Sequence, residues 1–167
     1  VREMIARNAQ AGRIDWIGVR GARREPLVAH PEAQILHAGL EGDHARPGKR
    51  AVTLIQAEHL PAIAAYLGRS EVRADELRRN ILVSGLNLAA LKGRALQIGD
   101  ACLRITTICA PCSRMEETFG PGGYSAVRGH GGWCAEVLEP GRIVLGDAVL
   151  PLAEDCLPPN LRVSPHP

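Results

Sequence analysis

Short apolar runs, cut at close intervals by glycine and by Gly-Asp pairs, restrict the fold of this chain more than any other feature. Gly12-Arg13-Ile14-Asp15-Trp16-Ile17-Gly18-Val19-Arg20 alternates apolar and polar residues, the pattern of a half-buried strand. Residues 51–56, 80–84, 94–98, 101–108, 133–138, 142–145 and 148–150 read as further strands. Gly99-Asp100 and Gly146-Asp147 each stand between two of these runs, so a hairpin is predicted at both. Helical spacing is confined to short stretches. Leu60, Ile63, Ala64 and Leu67 mark a helix over 57–67, with Pro61 tolerable only in its first turn and Gly68 as its stop. A second, over 73–79, carries Asp75 and Glu76 early and Arg78 and Arg79 late, and a third covers 113–119. Residues 120–132 hold too much glycine for regular structure and are expected to form a mobile, gating loop. Many short strands and few helices predict a mainly β fold, a β-barrel or closed, highly curved sheet. Nothing indicates a Rossmann unit, since no Gly-x-Gly-x-x-Gly follows a strand into a helix.

At 167 residues the chain is long enough for one domain with its own core. That domain is expected over 12–157, between an N-terminal extension over 1–11 and a disordered tail over 158–167, where prolines recur. Aromatics are only 3% of residues, so the core must be built from Val, Ile, Leu and Ala. That scarcity, with a net charge of +2, argues against nucleic acid as a partner. No apolar run is long enough to span a membrane, and residues 1–7 lack the apolar core of a signal peptide. The 5 cysteines form no regular disulfide framework, which makes a reducing cytoplasm the expected setting.

The chemistry centres on Cys109-Ala110-Pro111-Cys112, at the end of the strand-like run 102–108. Three readings are open. The two thiols have the spacing of a redox dithiol, although such motifs usually open a long helix. Cys109, Cys112, His130 and Cys134 have spacings that suit tetrahedral zinc, which would make the chain a non-catalytic zinc-stapled binding module. Alternatively Cys112 is a single functional thiol, with Pro111 fixing its backbone and Arg114 favouring the thiolate. Other polar clusters have plainer explanations. Glu41, Asp43 and His44 lie in a glycine-rich loop where turn chemistry suffices, and Arg23 and Arg24 lie in a loop where solvation does.

Several of these stretches, in their order along the chain, carry a resemblance. Gly39-Leu40-Glu41-Gly42-Asp43-His44, Arg50-Ala51-Val52-Thr53-Leu54, Arg79-Asn80-Ile81-Leu82-Val83-Ser84-Gly85-Leu86, Leu96-Gln97-Ile98-Gly99-Asp100 and Ala110-Pro111-Cys112 together resemble the MOSC domain. That domain was first defined at the C-terminus of molybdenum cofactor sulfurases and also occurs as stand-alone bacterial proteins. Gly141-Arg142-Ile143 and Leu145-Gly146-Asp147 extend the likeness, which covers residues 12–152. Some stand-alone members have a His-Gly-Gly segment where this chain has Arg46-Pro47-Gly48-Lys49.

The resemblance implies a β-barrel-like fold that binds molybdenum cofactor (molybdopterin). Its hallmark cysteine matches Cys112, as metal ligand or as carrier of a persulfide sulfur. The cofactor's phosphate would fall to Lys49, Arg50, Arg79 and Arg128, and Asn80 occupies the family's asparagine position, to bind pterin or shape the strand. The implied activity is sulfur transfer, or reduction of N-hydroxylated compounds as a small molybdenum-dependent oxidoreductase. The chain shows no cysteine-desulfurase stretch and no iron–sulfur cysteine set, so a separate electron-donor or sulfur-donor protein is expected.

Overall fold

A computed structural model describes residues 1–164 of the chain. The exposed helix α1 (Arg2–Ala6) precedes the strands β1 (Gly12–Val19), β2 (Val28–Ala29), β3 (Glu32–Leu36), β4 (Gly39–Leu40) and β5 (Val52–Gln56). Helices α2 (His59–Leu67) and α3 (Ala74–Leu77) lead to β6 (Ile81–Ser84). A 3-10 turn at Leu88–Leu91 precedes β7 (Ala95–Ile98) and β8 (Ala101–Ile108). Helices α4 (Ser113–Phe119) and α5 (Gly123–Val127) then separate β8 from β9 (Trp133–Glu139), β10 (Gly141–Val144) and β11 (Ala148–Leu152).

The strands close into a barrel in the order β1-β6-β5-β9-β8-β7-β11 and back to β1. Every seam is antiparallel except β5–β6, where α2 and α3 carry the chain back to start a parallel neighbour. The mainly β barrel expected from the strand spacing is therefore the fold. Closure leaves few free edges and turns one face of every strand inward. Those inward residues, among them Ile14, Leu54, Ile81, Leu96, Leu103 and Val149, form one buried aliphatic cluster, as the near-absence of aromatics required.

A second cluster matters more for function. Ile55, Ile63, Val72, Leu77, Met115 and Val127 pack together, drawing α2, α3, α4 and α5 onto one face of the barrel. The β8–β9 connection is thereby held against the α2–α3 crossover. No helix among the described residues is long and apolar enough to cross a membrane.

The structure departs from the sequence expectations in several places. Gly146-Asp147 is not a hairpin turn. β10 pairs with β3 in a separate three-stranded sheet, β10-β3-β4, while β11 pairs with β7 and β1 in the barrel. The turn passes the chain from one sheet to the other, and the Asp147 carboxylate accepts from the Val144 N–H at 2.8 Å to fix the step. Residues 120–132 are not a structureless loop, since α5 lies within them. The Glu116 carboxylate accepts from the backbone N–H groups of Gly122 and Tyr124 and so caps that helix. The helix expected over 73–79 ends at Leu77, because Arg78 takes a left-handed conformation with φ 61°. Of the expected tail, residues 158–164 are described: Pro159–Leu161 makes a 3-10 turn whose Leu161 carbonyl accepts from Arg104 at 2.7 Å. Residues 165–167 of that tail lie outside the described residues.

Candidate functional site

Cys112 is exposed and occupies the N-cap position of α4, with an extended backbone at φ −132° and ψ 178°. Three residues on, Met115 is buried in the second apolar cluster, and its N–H donates to the Cys112 carbonyl at 2.9 Å. The backbone that carries Cys112 is thus anchored from below while its thiol stays accessible.

The thiol lies on a cleft of about 340 Å³ whose cationic lining is Arg20, Arg23, Arg24, Arg78, Arg79 and Arg114. Glu117 is the carboxylate in that lining, and it faces Arg114 at 3.5 Å. Three separate regions supply these cations: the loop after β1, the α3–β6 junction and the first turn of α4. Asp43 takes part in this convergence from outside the cleft. Its carboxylate accepts from the Arg20 backbone N–H at 2.9 Å, so the Gly39–His44 stretch serves as a clamp on the arginine loop. Arg78 ties the same loop from the other side, donating to the carbonyls of Arg23 and Glu25, both at 3.0 Å. Burial and the nearby Arg20 and Arg114 guanidiniums push Arg78 below its ordinary value. Burial is the larger cause, and the crowding of like charge adds to it.

Arg79 lies deepest, at 8% exposure. It donates from Nε to the Gly131 carbonyl at 2.6 Å, from Nη1 to Leu77 at 2.9 Å and from Nη2 to Cys109 at 3.3 Å. Carbonyl dipoles orient the guanidinium but leave its charge without a carboxylate counterpart among the described residues. The other buried arginine, Arg104, lies by contrast beside both Glu136 and Glu154. Arg114 adds a second unmet demand: its Nη2 is buried and has no hydrogen-bond partner among the described residues. Buried donors and cations left in this state favour an anionic ligand.

A smaller, more enclosed cavity of about 200 Å³ lies on the other side of Cys109 and Ala110, lined by His59, Ile108, Pro111, Tyr124, Arg128 and Trp133 among others. Cys109 therefore borders both spaces. The neighbouring Cys134 thiol, acting as donor, holds Cys109 below its ordinary value against the opposing effect of burial, with help from Arg79, Arg50 and Arg20. The same contact, with burial, pushes Cys134 up.

The residues expected at the site divide clearly. Cys112 and Arg79 share the cleft, and Arg23, Arg24 and Arg114, noted as loop or motif cations, join them. Lys49 and Arg50 are exposed and outside its lining, and Arg128 borders the smaller cavity instead. Asn80 is beside the site but buried and committed to the protein. Its Oδ1 accepts from the Thr53 N–H at 3.1 Å and the Thr53 hydroxyl at 3.0 Å, and its Nδ2 donates to the Gly18 carbonyl at 3.1 Å. That leaves it as a staple joining β1, β5 and the start of β6. Sequence reasoning missed Arg20 and gave Arg78 only a place at a helix end. The proximity of Arg20 to the Arg23-Arg24 pair was the signal available.

The zinc arrangement does not form. Cys112 is exposed, whereas Cys134 is buried against Cys109. His130 packs instead on His59, with ring centroids 5.0 Å apart, and on Tyr66 at 5.6 Å. Among the described residues, no group of three or more His, Cys, Asp or Glu side chains could hold a metal ion.

The family model of the MOSC domain matches residues 34–150. The chain belongs to the MOSC domain family. Strand β1 precedes the matched stretch yet completes the MOSC barrel, pairing with both β6 and β11. Solved structures share this fold. YuaD from Bacillus subtilis is 16% identical with a TM-score of 0.74, over 84% of this chain and 94% of that one. YiiM from Escherichia coli is 20% identical with a TM-score of 0.66, over 84% of this chain and 70% of that one. YiiM from Geobacillus stearothermophilus is also 20% identical, with a TM-score of 0.68 over 86% and 76% of the two chains. At these identities the likeness is one of fold. No match was found among curated proteins.

Proposed function

We propose that this MOSC protein binds molybdenum cofactor with the phosphate in the arginine-lined cleft and Cys112 at the reacting centre. It then acts in sulfur transfer, or reduces N-hydroxylated compounds with electrons from a separate donor protein. One observation carries this reading: an accessible thiol shares a cleft with two arginines that, among the described residues, are left unmatched, one buried without a carboxylate partner and one with a buried, unbonded donor. A phosphate answers both demands, since guanidinium forks hold it bidentately.

Bound there, the cofactor would supply a soft metal that suits thiolate ligation and two-electron chemistry. The protein's own groups have separable tasks. Arg79, held by three carbonyls, presents a fixed charge at the floor of the cleft. Arg20, Arg78 and Arg114 surround the phosphate position, with Arg23 and Arg24 at the rim. For sulfur transfer, the Cys112 thiolate attacks the outer sulfur of a donor persulfide. The Cys112 S–S bond forms as the donor S–S bond breaks, and the donor leaves as a thiolate. For reduction, the enclosed cavity beyond Cys109 offers a small substrate a site shielded by Trp133, Ile108 and Pro111, with Arg128 at its edge.

The test is metal and pterin analysis of protein made in a host that synthesises molybdenum cofactor, with wild type compared to Cys112→Ser. Molybdenum and pterin near one per chain, falling sharply in the variant, are expected. Pterin held equally by both proteins would remove Cys112 from the centre, and zinc without pterin would overturn the reading.

A further inference from the structure

The dithiol suggested by the Cys-Ala-Pro-Cys spacing does not pair Cys109 with Cys112; the partner of Cys109 is Cys134. We propose that Cys109 and Cys134 are a redox modification site, closing to an intramolecular disulfide when hydrogen peroxide enters the cavity that Cys109 borders. This site does not depend on the cofactor reading, because its chemistry uses neither Cys112 nor a bound cofactor.

Strand register brings the two thiols together. Ile108 is paired with Trp133, and one step further the Cys109 N–H donates to the Gly132 carbonyl at 2.8 Å. Cys109 is thus opposite residue 132, and Cys134 is its diagonal neighbour on the same face of the β8–β9 ribbon. An irregularity between Ile105 and Ile108 breaks the regular register just before this point. Such bulges bend a strand and re-aim the side chains beyond them, here turning the diagonal pair towards each other, close enough for the Cys134 thiol to favour the Cys109 thiolate.

Access and reactivity are divided between the partners. Cys109 is part-exposed and lines both cavities, while Cys134 is 3% exposed. Peroxide therefore meets Cys109 first. The Cys134 thiol donates towards Cys109, and buried Arg79 lies against the Cys109 carbonyl, so the surroundings favour negative charge on the Cys109 sulfur. The Cys109 thiolate attacks one peroxide oxygen; the S–O bond forms, the O–O bond breaks, and hydroxide leaves. Cys134 then attacks the oxidised sulfur. The S–S bond forms, the S–O bond breaks, and the Cys134 proton leaves with the oxygen as water. Two electrons pass from the thiol pair to one peroxide. Closure removes a negative charge beside Arg79, Arg50 and Arg20, making the neighbouring cleft more positive.

The experiment treats the whole chain with stoichiometric hydrogen peroxide, blocks the remaining thiols with an alkylating agent, and maps peptides by mass spectrometry. A Cys109–Cys134 link is expected in wild type and in Cys112→Ser. In Cys134→Ala, a dimedone adduct should accumulate on Cys109. Because Cys109 is held below its ordinary value, its oxidation should slow as the pH falls from 7.5 to 5, following the thiolate fraction. A Cys109–Cys112 link, or oxidation confined to Cys112, Cys102 or Cys156, would overturn the proposal. So would the absence of any link after Cys112 has itself become oxidised. The wild-type map decides the matter even if a variant folds poorly.

Discussion

Asn80 and Cys112 both occupy positions that the family likeness marks as functional, yet they serve on different links of the chain from sequence to activity. Asn80 is buried, and its side-chain amide joins Thr53 and Gly18 across two strand seams. Replacing it with alanine leaves buried groups on β1 and β5 unpaired, at a cost of about 2–4 kcal/mol. For a chain of this length, that lowers Tm by on the order of 10 °C. Cys112 is exposed and makes no side-chain hydrogen bond that caps α4. Cys112→Ser should therefore leave Tm within about 2 °C of wild type, the scale of a surface substitution. Thermal unfolding of the two variants side by side checks the assignment. Equal losses would mean that Cys112 is structural, and no loss for Asn80→Ala would mean that the staple is not formed in solution.

At the scale of elements, α5 shows how one side chain orders a stretch whose composition points the other way. Gly120, Gly122, Gly129 and Gly132 all have positive φ, so the backbone there needs glycine, and glycine alone predicts mobility. Order comes from Glu116, one turn before the end of α4, which accepts from two N–H groups at the start of α5. It also comes from close packing, since a Cβ on Gly123 would fall 2.2 Å from the Met115 carbonyl oxygen. Glu116→Ala should cost about 1 kcal/mol, the usual scale of a lost helix cap. Its more direct signature is local: proteolysis and amide exchange should quicken across 120–132 and change little in the barrel. If protection there is unchanged, Glu116 is not what holds the helix. The same contrast explains how much was legible in the sequence. β1, β5, β6, β7, β8 and β9 could be read because each has enough residues to show alternation or a continuous apolar run. β2 and β4 have two residues each, too few for any period, and β3 shows its burial only through Ile35. The Gly146-Asp147 turn was misread because turn chemistry fixes a local bend and not the destination of the next strand. Cys112 and Arg79 stood out within their own motifs. Arg20 did not, because it reaches the cleft through a clamp to Asp43, far along the chain.

At the scale of the whole molecule, the barrel is completed by its most sequence-distant strands. β1 meets β11 through only Gly12–Val149 and Arg13–Ala148, while β11 is held more broadly by β7 from Ala95 to Ile98. Val149 is completely buried at this seam, in the same aliphatic cluster as Ile14 and Leu96. Closure therefore spans nearly the full domain, and contacts of that range come at the cost of a large loop entropy before they stabilise anything. The two ends of the chain should then tolerate loss very differently. Residues 1–7 bury nothing, so their removal should leave the urea midpoint and slope unchanged. Removal of residues 148–167 opens two seams, strips β7 of one of its two partners and uncovers Ala95, Cys102 and the apolar cluster they form with Leu157. The shortened chain should show no sharp urea transition, or one with a clearly reduced slope. A transition of unchanged slope would mean that the other strands hold a complete core without the seam. The arginine cleft would then be supported by β5, β6, β8, β9 and the helices alone, and the barrel's closure would be irrelevant to the position of Cys112.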